Sequence, residues 1–234
     1  MLLKQQRCNM DSIFLSKSAL FNGCSADEIT NMLDCLNAEC RSFRRGSIIY
    51  RAGEVVTSLG LVLKGSVYIE SDDVWGNKSI IDKVAAGQVF AETYACVSDT
   101  PLMINVVAAE SCEILFLDIN KVLNVCSNAC GHHSKLIRNL LSISAQKNLL
   151  LSRRMFHTSP KSIRGRLLIY ISFQSIRQGS REFVIPFNRQ QLADYLNVDR
   201  SAMSNELSKM QRDGLLKCDR SHFILIGIEP DDHI

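Results

Sequence analysis

What this 234-residue chain lacks narrows its function before any motif is considered. No apolar run approaches the roughly 18–20 residues of a membrane-spanning helix. Runs such as Phe223-Ile-Leu-Ile-Gly-Ile228 are far shorter. The opening MLLKQQRCNMDS has no apolar core of the kind a secretion signal carries, so a cytoplasmic protein with no membrane partner is expected. There is no phosphate-cradling glycine loop, no G-x-S-x-G elbow and no paired-histidine metal motif. No catalytic constellation is left to compete, and the chain is not expected to be an enzyme. Nine cysteines are scattered at 8, 24, 35, 40, 96, 112, 126, 130 and 218, without one C-x-x-C pair. In a reducing compartment most of them should behave as small buried hydrophobes. One cluster, Cys126, Cys130, His132 and His133, pairs i, i+4 thiols with imidazoles and could hold a soft metal. Structural zinc sites favour tighter paired spacing, so no metal is assigned.

What is present is ordinary globular composition, 46% hydrophobic and 22% charged, on a length that suits two unequal domains. The net charge of +3 hides an asymmetry. Residues 1–130 carry 11 Lys/Arg against 15 Asp/Glu, a balance of −4, whereas residues 131–234 carry 16 against 9, a balance of +7. A polyanion partner therefore belongs to the second half.

The first segment, to about residue 125, has glycines at 46, 53, 60, 65, 76 and 87 between short β-rich runs. These runs are Ser47–Tyr50, Leu59–Leu63, Ser66–Ile69, Ser79–Asp82, Asn105–Val107 and Glu113–Leu117. Short strands with turn signals between them predict an antiparallel sandwich or barrel. Ahead of them, Ile29, Leu33 and Leu36 mark a short helix from Ala26, with Ser25 as N-cap.

Residues 131–156 have no acidic residue and no Gly or Pro after Gly131. Ile137, Leu141, Ser144, Asn148, Leu151 and Met155 follow 4-3-4-3-4 spacing, and Leu136, Leu140, Ile143 and Leu150 form a second stripe beside it. One stripe can pack on the β domain and the other on a partner helix. A homodimer is expected, with Ile137, Leu141, Ser144, Asn148 and Leu151 at its interface.

After the breaker Thr158-Ser-Pro160, Ser162–Ile176 is an apolar helix ended by Gly179, and Glu182–Pro186 is a short strand. Next comes RQQLADYLNVDRSAMSNELSKMQRDG, residues 189–214. Asn188 and Gln191 make a capping-box pattern for a first short helix. Asn197-Val-Asp199 turns the chain, and Asp199 caps a second helix. There Met203, Leu207 and Met210 face a core, while Ser201, Ser204, Asn205 and Ser208 leave the opposite face small and polar. A lean polar face fits the major groove, where Asn and Ser can bond base edges and Arg200 can reach guanine or phosphate. Leu215–Cys218 and His222–Ile226 add two strands around Asp219-Arg-Ser221, completing a winged helix-turn-helix.

Taken in order, these pieces resemble the Crp/Fnr family of bacterial transcription regulators over nearly the whole chain. Phe43-Arg-Arg-Gly46-Ser-Ile48, Gly53-Glu54 and Leu61-Val-Leu-Lys-Gly65-Ser-Val match the glycine-turn framework of the family's cyclic-nucleotide-binding-like β-roll. The helix at 131–156 stands where the family has its dimerisation helix, and Arg200 stands at the recognition-helix arginine. The resemblance implies an α+β chain in three parts. These are an effector-sensing β-roll (jelly roll) at 1–130, a dimerisation helix at 131–157 and a winged helix-turn-helix DNA-binding domain at 158–234. It implies a sequence-specific regulator of transcription whose partners are a second copy, double-stranded DNA with a pseudo-palindromic operator, and RNA polymerase if it activates. Arg200, Ser201, Ser204 and Asn205 would contact bases, and Lys161, Arg164, Arg189, Lys209 and Arg220 phosphates.

Departures from the family pattern shape the rest. Cyclic-nucleotide binders have Gly-Glu before a short helix and then Arg-Ser, the arginine holding the cyclic phosphate. Here the segment is Phe90-Ala-Glu-Thr93, then Pro101-Leu-Met-Ile-Asn105, with no arginine between Arg51 and Arg138. Burying a cyclic phosphate without a cationic partner is costly, so the effector is expected to be something other than cyclic AMP. Glu92, Thr93, Leu102 and Met103 are the candidate pocket residues. The oxygen sensors' closely spaced N-terminal cysteines are absent, since Cys8 and Cys24 are sixteen residues apart. A haem held by one His, Met or Cys would leave no pattern, so no cofactor is named and the small-molecule effector stays unknown. Ser201 and Asn205 replace the Glu and second Arg of familiar members, so the operator should differ from theirs. Two other functions remain open: a cyclic-nucleotide-type regulatory subunit acting by protein contact, and a redox or metal sensor using Cys126, Cys130 and His132.

Overall fold

The computed structural model describes residues 12–36, 38–72, 75, 78–123 and 132–226, and the chain divides into two compact units, 1–146 and 147–234. The first unit opens with helices α1 (Ser12–Ser16) and α2 (Ala26–Cys35). Ser25 starts α2 through a reciprocal cap: its hydroxyl accepts from the Glu28 N–H at 3.2 Å, and the Glu28 carboxylate accepts from the Ser25 N–H at 2.9 Å. Strands β1 (Glu39–Phe43), β2 (Ile48–Tyr50), β3 (Ser58–Lys64), β4 (Ser66–Asp72), β5 (Lys78–Ala85) and β6 (Val89–Phe90) follow. Helix α3 (Glu92–Cys96), strands β7 (Asn105–Ala108) and β8 (Cys112–Asp118), helix α4 (Ile119–Leu123) and the start of the long helix α5 (His132–Thr158) complete it.

All pairings are antiparallel and form two four-stranded sheets, ordered β1-β8-β3-β6 and β2-β7-β4-β5. The runs Leu59-Gly-Leu-Val-Leu63 and Ile114-Leu-Phe-Leu117 are continuously apolar because the first sheet is buried on both faces. Leu59, Leu61, Leu115 and Leu117 pack among the helices with Ile29, Leu36, Leu136 and Leu140. Val62, Ile114 and Phe116 point the other way, into the interior shared with the second sheet. One stripe of the long helix thus belongs to the core, since Leu136 and Leu140 are buried.

Each strand inferred from the glycine-punctuated pattern is present, within a few residues at its ends. Two more, β1 and β6, carried no clear signal. Glu39-Cys-Arg-Ser-Phe43 holds two charges and lies partly exposed at a sheet edge, and Val89-Phe90 is only two residues long.

The second unit contains the end of α5, helix α6 (Ile163–Gln178), strand β9 (Glu182–Val184), helices α7 (Arg189–Leu196) and α8 (Arg200–Arg212), and strands β10 (Leu216–Asp219) and β11 (His222–Leu225). The division between units falls inside α5. Ser162 caps α6 by accepting from the Gly165 N–H at 3.0 Å, and Gly179 ends it in the left-handed region at φ 62°. The strands form one antiparallel sheet, ordered β10-β11-β9. Leu167, Leu192, Leu196, Met203, Leu207 and Phe223 anchor a separate core.

Cys24 and Cys112 are buried free thiols, and burial raises both their pKa values. Cys35 and Cys96 are exposed and Cys218 is half-buried. Cys40 is disulfide-bonded, and none of these five is its partner. The cluster expected to offer metal ligands falls outside the described residues at Cys126 and Cys130 and in the side chain of His132; Cys8 does as well. Among the described residues no group of three or more His, Cys, Asp or Glu could hold a metal, and no helix is long and apolar enough to cross a membrane.

Candidate nucleic-acid interface

Two capped helices separated by a tight turn build the site. In α7 the Asn188 carboxamide accepts from the Gln191 N–H at 2.9 Å, and the Gln191 carboxamide accepts from the Asn188 N–H at 2.9 Å. Asn197 ends the helix at φ 53°, a left-handed conformation that asparagine tolerates better than most side chains. Asp199 then starts α8 by accepting from the Ala202 N–H at 2.8 Å. That backbone donor, with the Ser201 hydroxyl, holds the Asp199 carboxyl below the usual carboxylate range. The cap therefore stays charged at the positive end of the α8 dipole.

The side chains of α8 divide as the i, i+4, i+7 spacing dictates. Met203, Leu207 and Met210 are buried, the first and last completely. Arg200, Ser201, Asn205 and Ser208 are exposed and Ser204 is half-buried. The four base-reading candidates share one side, because Arg200 and Ser204, like Ser201 and Asn205, stand four residues apart. No side chain larger than Arg200 interrupts that face.

The five phosphate candidates differ in their surroundings. Lys161, Lys209 and Arg220 are exposed. Arg220 occupies the β10–β11 turn at φ 49°. Arg189 lies beside it around an open cleft of about 470 Å³, walled by the loop 185–188 and the turn at Arg220 and Ser221. Its guanidinium packs over the Phe223 ring at 5.4 Å and donates to Cys218 Sγ at 3.1 Å, while Nη1 is buried with no partner. Arg164 is already engaged, donating to Glu206 at 2.6 Å and to Asp213 at 2.7 Å. Each partner strengthens the charged state of the other: Arg164 is raised by Glu206 and Asp213, and Glu206 is lowered by Arg164. A phosphate contact by Arg164 would have to compete with two carboxylates. Glu206 and Asp213, which tie α8 to α6, drew no notice in the sequence because their partner is 42 and 49 positions away, beyond any local pattern.

In the β-roll the four effector candidates do not share one environment. Glu92 and Leu102 are buried, whereas Thr93 is exposed and Met103 is 80% exposed. Leu102 is held by its backbone, donating to the Glu54 carbonyl at 2.8 Å and accepting from the Gly53 N–H at 2.7 Å. Ala91, just before Glu92, sits in the left-handed region at φ 59°, where a glycine would be relaxed. A polar cleft of about 410 Å³ opens elsewhere on the roll, lined by Glu39, Arg41, Tyr50, Glu54, Phe116 and Asp118 among others, and none of the four candidates lines it.

On α5, Leu141, Leu151 and Met155 of the expected dimer stripe are each more than two-thirds exposed, and Leu149, Leu150 and Phe156 are exposed beside them. Asn148 is also exposed, and Ile137 and Ser144 are half-buried.

A double-sheet roll followed by a long helix and a winged helix-turn-helix is the architecture of a helix-turn-helix transcription regulator. The cyclic nucleotide-binding domain model matches residues 40–129, and the Crp-like helix-turn-helix domain model matches residues 165–229. The chain belongs to the Crp/Fnr family of transcription regulators. Electron transport regulator A of Shewanella oneidensis is 20% identical over 216 residues, covering 86% of this chain and 80% of that protein. Among solved structures, the catabolite activator protein of Thermus thermophilus is 22% identical with a TM-score of 0.50, covering 89% of this chain and 93% of its own. CprK complexed with OCPA is 15% identical with a TM-score of 0.58, covering 85% and 91%. The c-di-GMP-responsive regulator CLP of Xanthomonas campestris is 18% identical with a TM-score of 0.50, covering 87% and 100%. These similarities establish the fold.

Proposed function

We propose that this protein is a homodimeric, sequence-specific DNA-binding regulator of transcription, controlled by an effector other than cyclic AMP. The observation that carries the proposal is α8, whose three apolar side chains are buried while Arg200, Ser201, Ser204 and Asn205 are left on a lean outer face. A helix of that section fits the major groove, with its N-terminal residues at the base edges. Arg200 suits a bidentate contact to guanine, and Asn205 a bidentate contact to adenine. Lys161, Lys209 and Arg220 hold phosphates, and Arg189 joins them by turning its guanidinium from Cys218 toward the cleft it borders. Arg164 serves chiefly to keep α8 against α6, since two carboxylates occupy it.

Dimerisation follows from α5. Leu141, Leu151 and Met155 stand in a 3.5-residue repeat and face water in a single chain, a costly exposure that a second copy relieves. The two recognition helices then meet half-sites about one DNA turn apart. An effector other than cyclic AMP is in keeping with two proteins of this fold, one described as c-di-GMP-responsive and the other complexed with OCPA. If the protein activates, RNA polymerase is its further partner. The effector would act by favouring one of two arrangements of the winged units.

Selection from a pool of random duplexes tests the proposal. Recovery of a two-fold-symmetric sequence is the expected result. A protein that enriches no sequence over repeated rounds, with and without cell extract as a source of effector, is not a sequence-specific regulator.

A further inference from the structure

We infer that the last turn of α5 is a latch that fixes the bearing of the helix-turn-helix, with Arg154 and His157 as positioning residues; the inference rests on the DNA-binding proposal above. The C-terminal carbonyls of a helix lack partners within it and attract cations. At the end of α7, four consecutive carbonyls are met by two arginines. Arg154 of α5 donates to Asp194 O at 3.1 Å and Tyr195 O at 3.3 Å. Arg166 of α6 donates to Leu196 O at 3.0 Å, to Asn197 O at 2.8 Å and, from Nε, to Pro160 O at 2.8 Å. The same clasp therefore holds the helix-turn-helix and the Ser159-Pro160 connection that follows α5.

His157 closes the contact. It is 1% exposed, and its Nδ1 lies 2.8 Å from the Tyr195 hydroxyl. Its ring packs edge-on to Tyr170 and Phe173, with centroids 5.4 and 5.0 Å away. Arg154 also lies over the Tyr195 ring at 5.9 Å, and Arg153 over Phe173 at 5.8 Å. Thr158-Ser-Pro160 alone would leave several free torsions between α5 and the DNA-reading helices. The latch removes them: α5 cannot rotate about its axis without breaking the Arg154 bonds and bringing the His157 ring into water. Any rotation of α5 is thereby passed to α7 and, through the Asn197-Val-Asp199 turn, to α8. The consequence is specificity for half-site spacing, because a fixed bearing lets two copies read only one separation.

The test compares wild type with Arg154→Ala, Arg154→Lys and Tyr195→Phe on duplexes recovered by selection, with the two half-sites moved apart by one and two base pairs. Circular dichroism and melting first show that each variant is folded. Loss of one charge-assisted hydrogen bond corresponds to roughly a tenfold change in an equilibrium, and Arg154→Ala removes two. Arg154→Ala is expected to weaken binding at the native spacing by about ten- to a hundredfold while leaving the shifted duplexes nearly unchanged, so that spacing discrimination collapses. Arg154→Lys should restore part of it. Folded variants that keep wild-type spacing discrimination overturn the latch while leaving DNA binding intact. If wild type binds no duplex, the DNA-binding proposal falls and amide hydrogen exchange judges the latch alone. Faster exchange at residues 155–162 in Arg154→Ala supports it, and unchanged exchange overturns it.

Discussion

Replacing Gly60 by alanine tests the packing that fills the β-roll. Gly60 lies in β3 directly opposite Phe90 on one neighbouring strand and Phe116 on the other. A Cβ added there would stand 2.2 Å from Phe90 Cζ and 2.5 and 2.7 Å from the two Cε atoms. The ring has nowhere to retreat: Phe90 is 2% exposed, with Tyr50 at 6.1 Å and Phe116 at 6.5 Å, both edge-on. Overpacking of this kind costs about 1–3 kcal/mol. The lower backbone entropy of an unfolded alanine offsets roughly 0.5–1 kcal/mol of that. Because the ring cannot retreat, the upper end of the overpacking range applies, and a net loss of about 2–2.5 kcal/mol is expected, read as a shift in urea midpoint by far-ultraviolet circular dichroism. The double variant Gly60→Ala/Phe90→Leu should cost less than the sum of the singles by about 1 kcal/mol, because the smaller side chain vacates the space the new methyl needs. Strict additivity, or a Gly60→Ala protein as stable as wild type, would mean that the Phe90 ring does not fill the space over Gly60.

Burial and the neighbouring Arg153 push the His157 pKa below the usual 6.5. The imidazole is therefore neutral in the fold and protonates more readily once unfolded, so its contribution is present above pH 6.5 and is lost as pH falls toward the depressed folded value. Chemical denaturation between pH 7.5 and 5 should show a decline in wild type that flattens in His157→Asn. Arg220→Asn places a residue that tolerates the left-handed region at φ 49°, so melting should hold or rise while affinity for any duplex falls. Arg200→Ala and Asn205→Ala should each cost about 1–3 kcal/mol on the selected operator and relax preference at one base position, whereas Lys161→Ala should weaken all sequences alike and lower the salt slope by about one.

The elements that carry their own cause were legible in the sequence. The Asn188/Gln191 box, the Asp199 cap and the Met203/Leu207/Met210 spacing are local, so the helix-turn-helix and the lean outer face of α8 could both be written down from them. The glycine-punctuated strands showed the roll for the same reason. What escaped is long-range. Arg164 meets Glu206 and Asp213 across the fold, Arg189 turns onto Cys218 and Phe223, and Arg154 and Arg166 converge on one helix end. No spacing rule links such positions, and a basic residue near the helix-turn-helix looks alike in sequence whether it is free or paired. The effector pocket was the least legible part, because Leu102 and Met103 are adjacent in sequence yet one is buried and the other points to water.

Whether α8 reads DNA is tested most directly by the affinity of the protein for its selected duplex and for a scrambled duplex of equal length, followed by fluorescence anisotropy as salt rises. Tight binding to the selected sequence is expected, with a lead over the scrambled one that persists while both affinities fall steeply with salt. Equal affinity for the two sequences at every salt concentration would mean that α8 reads no sequence.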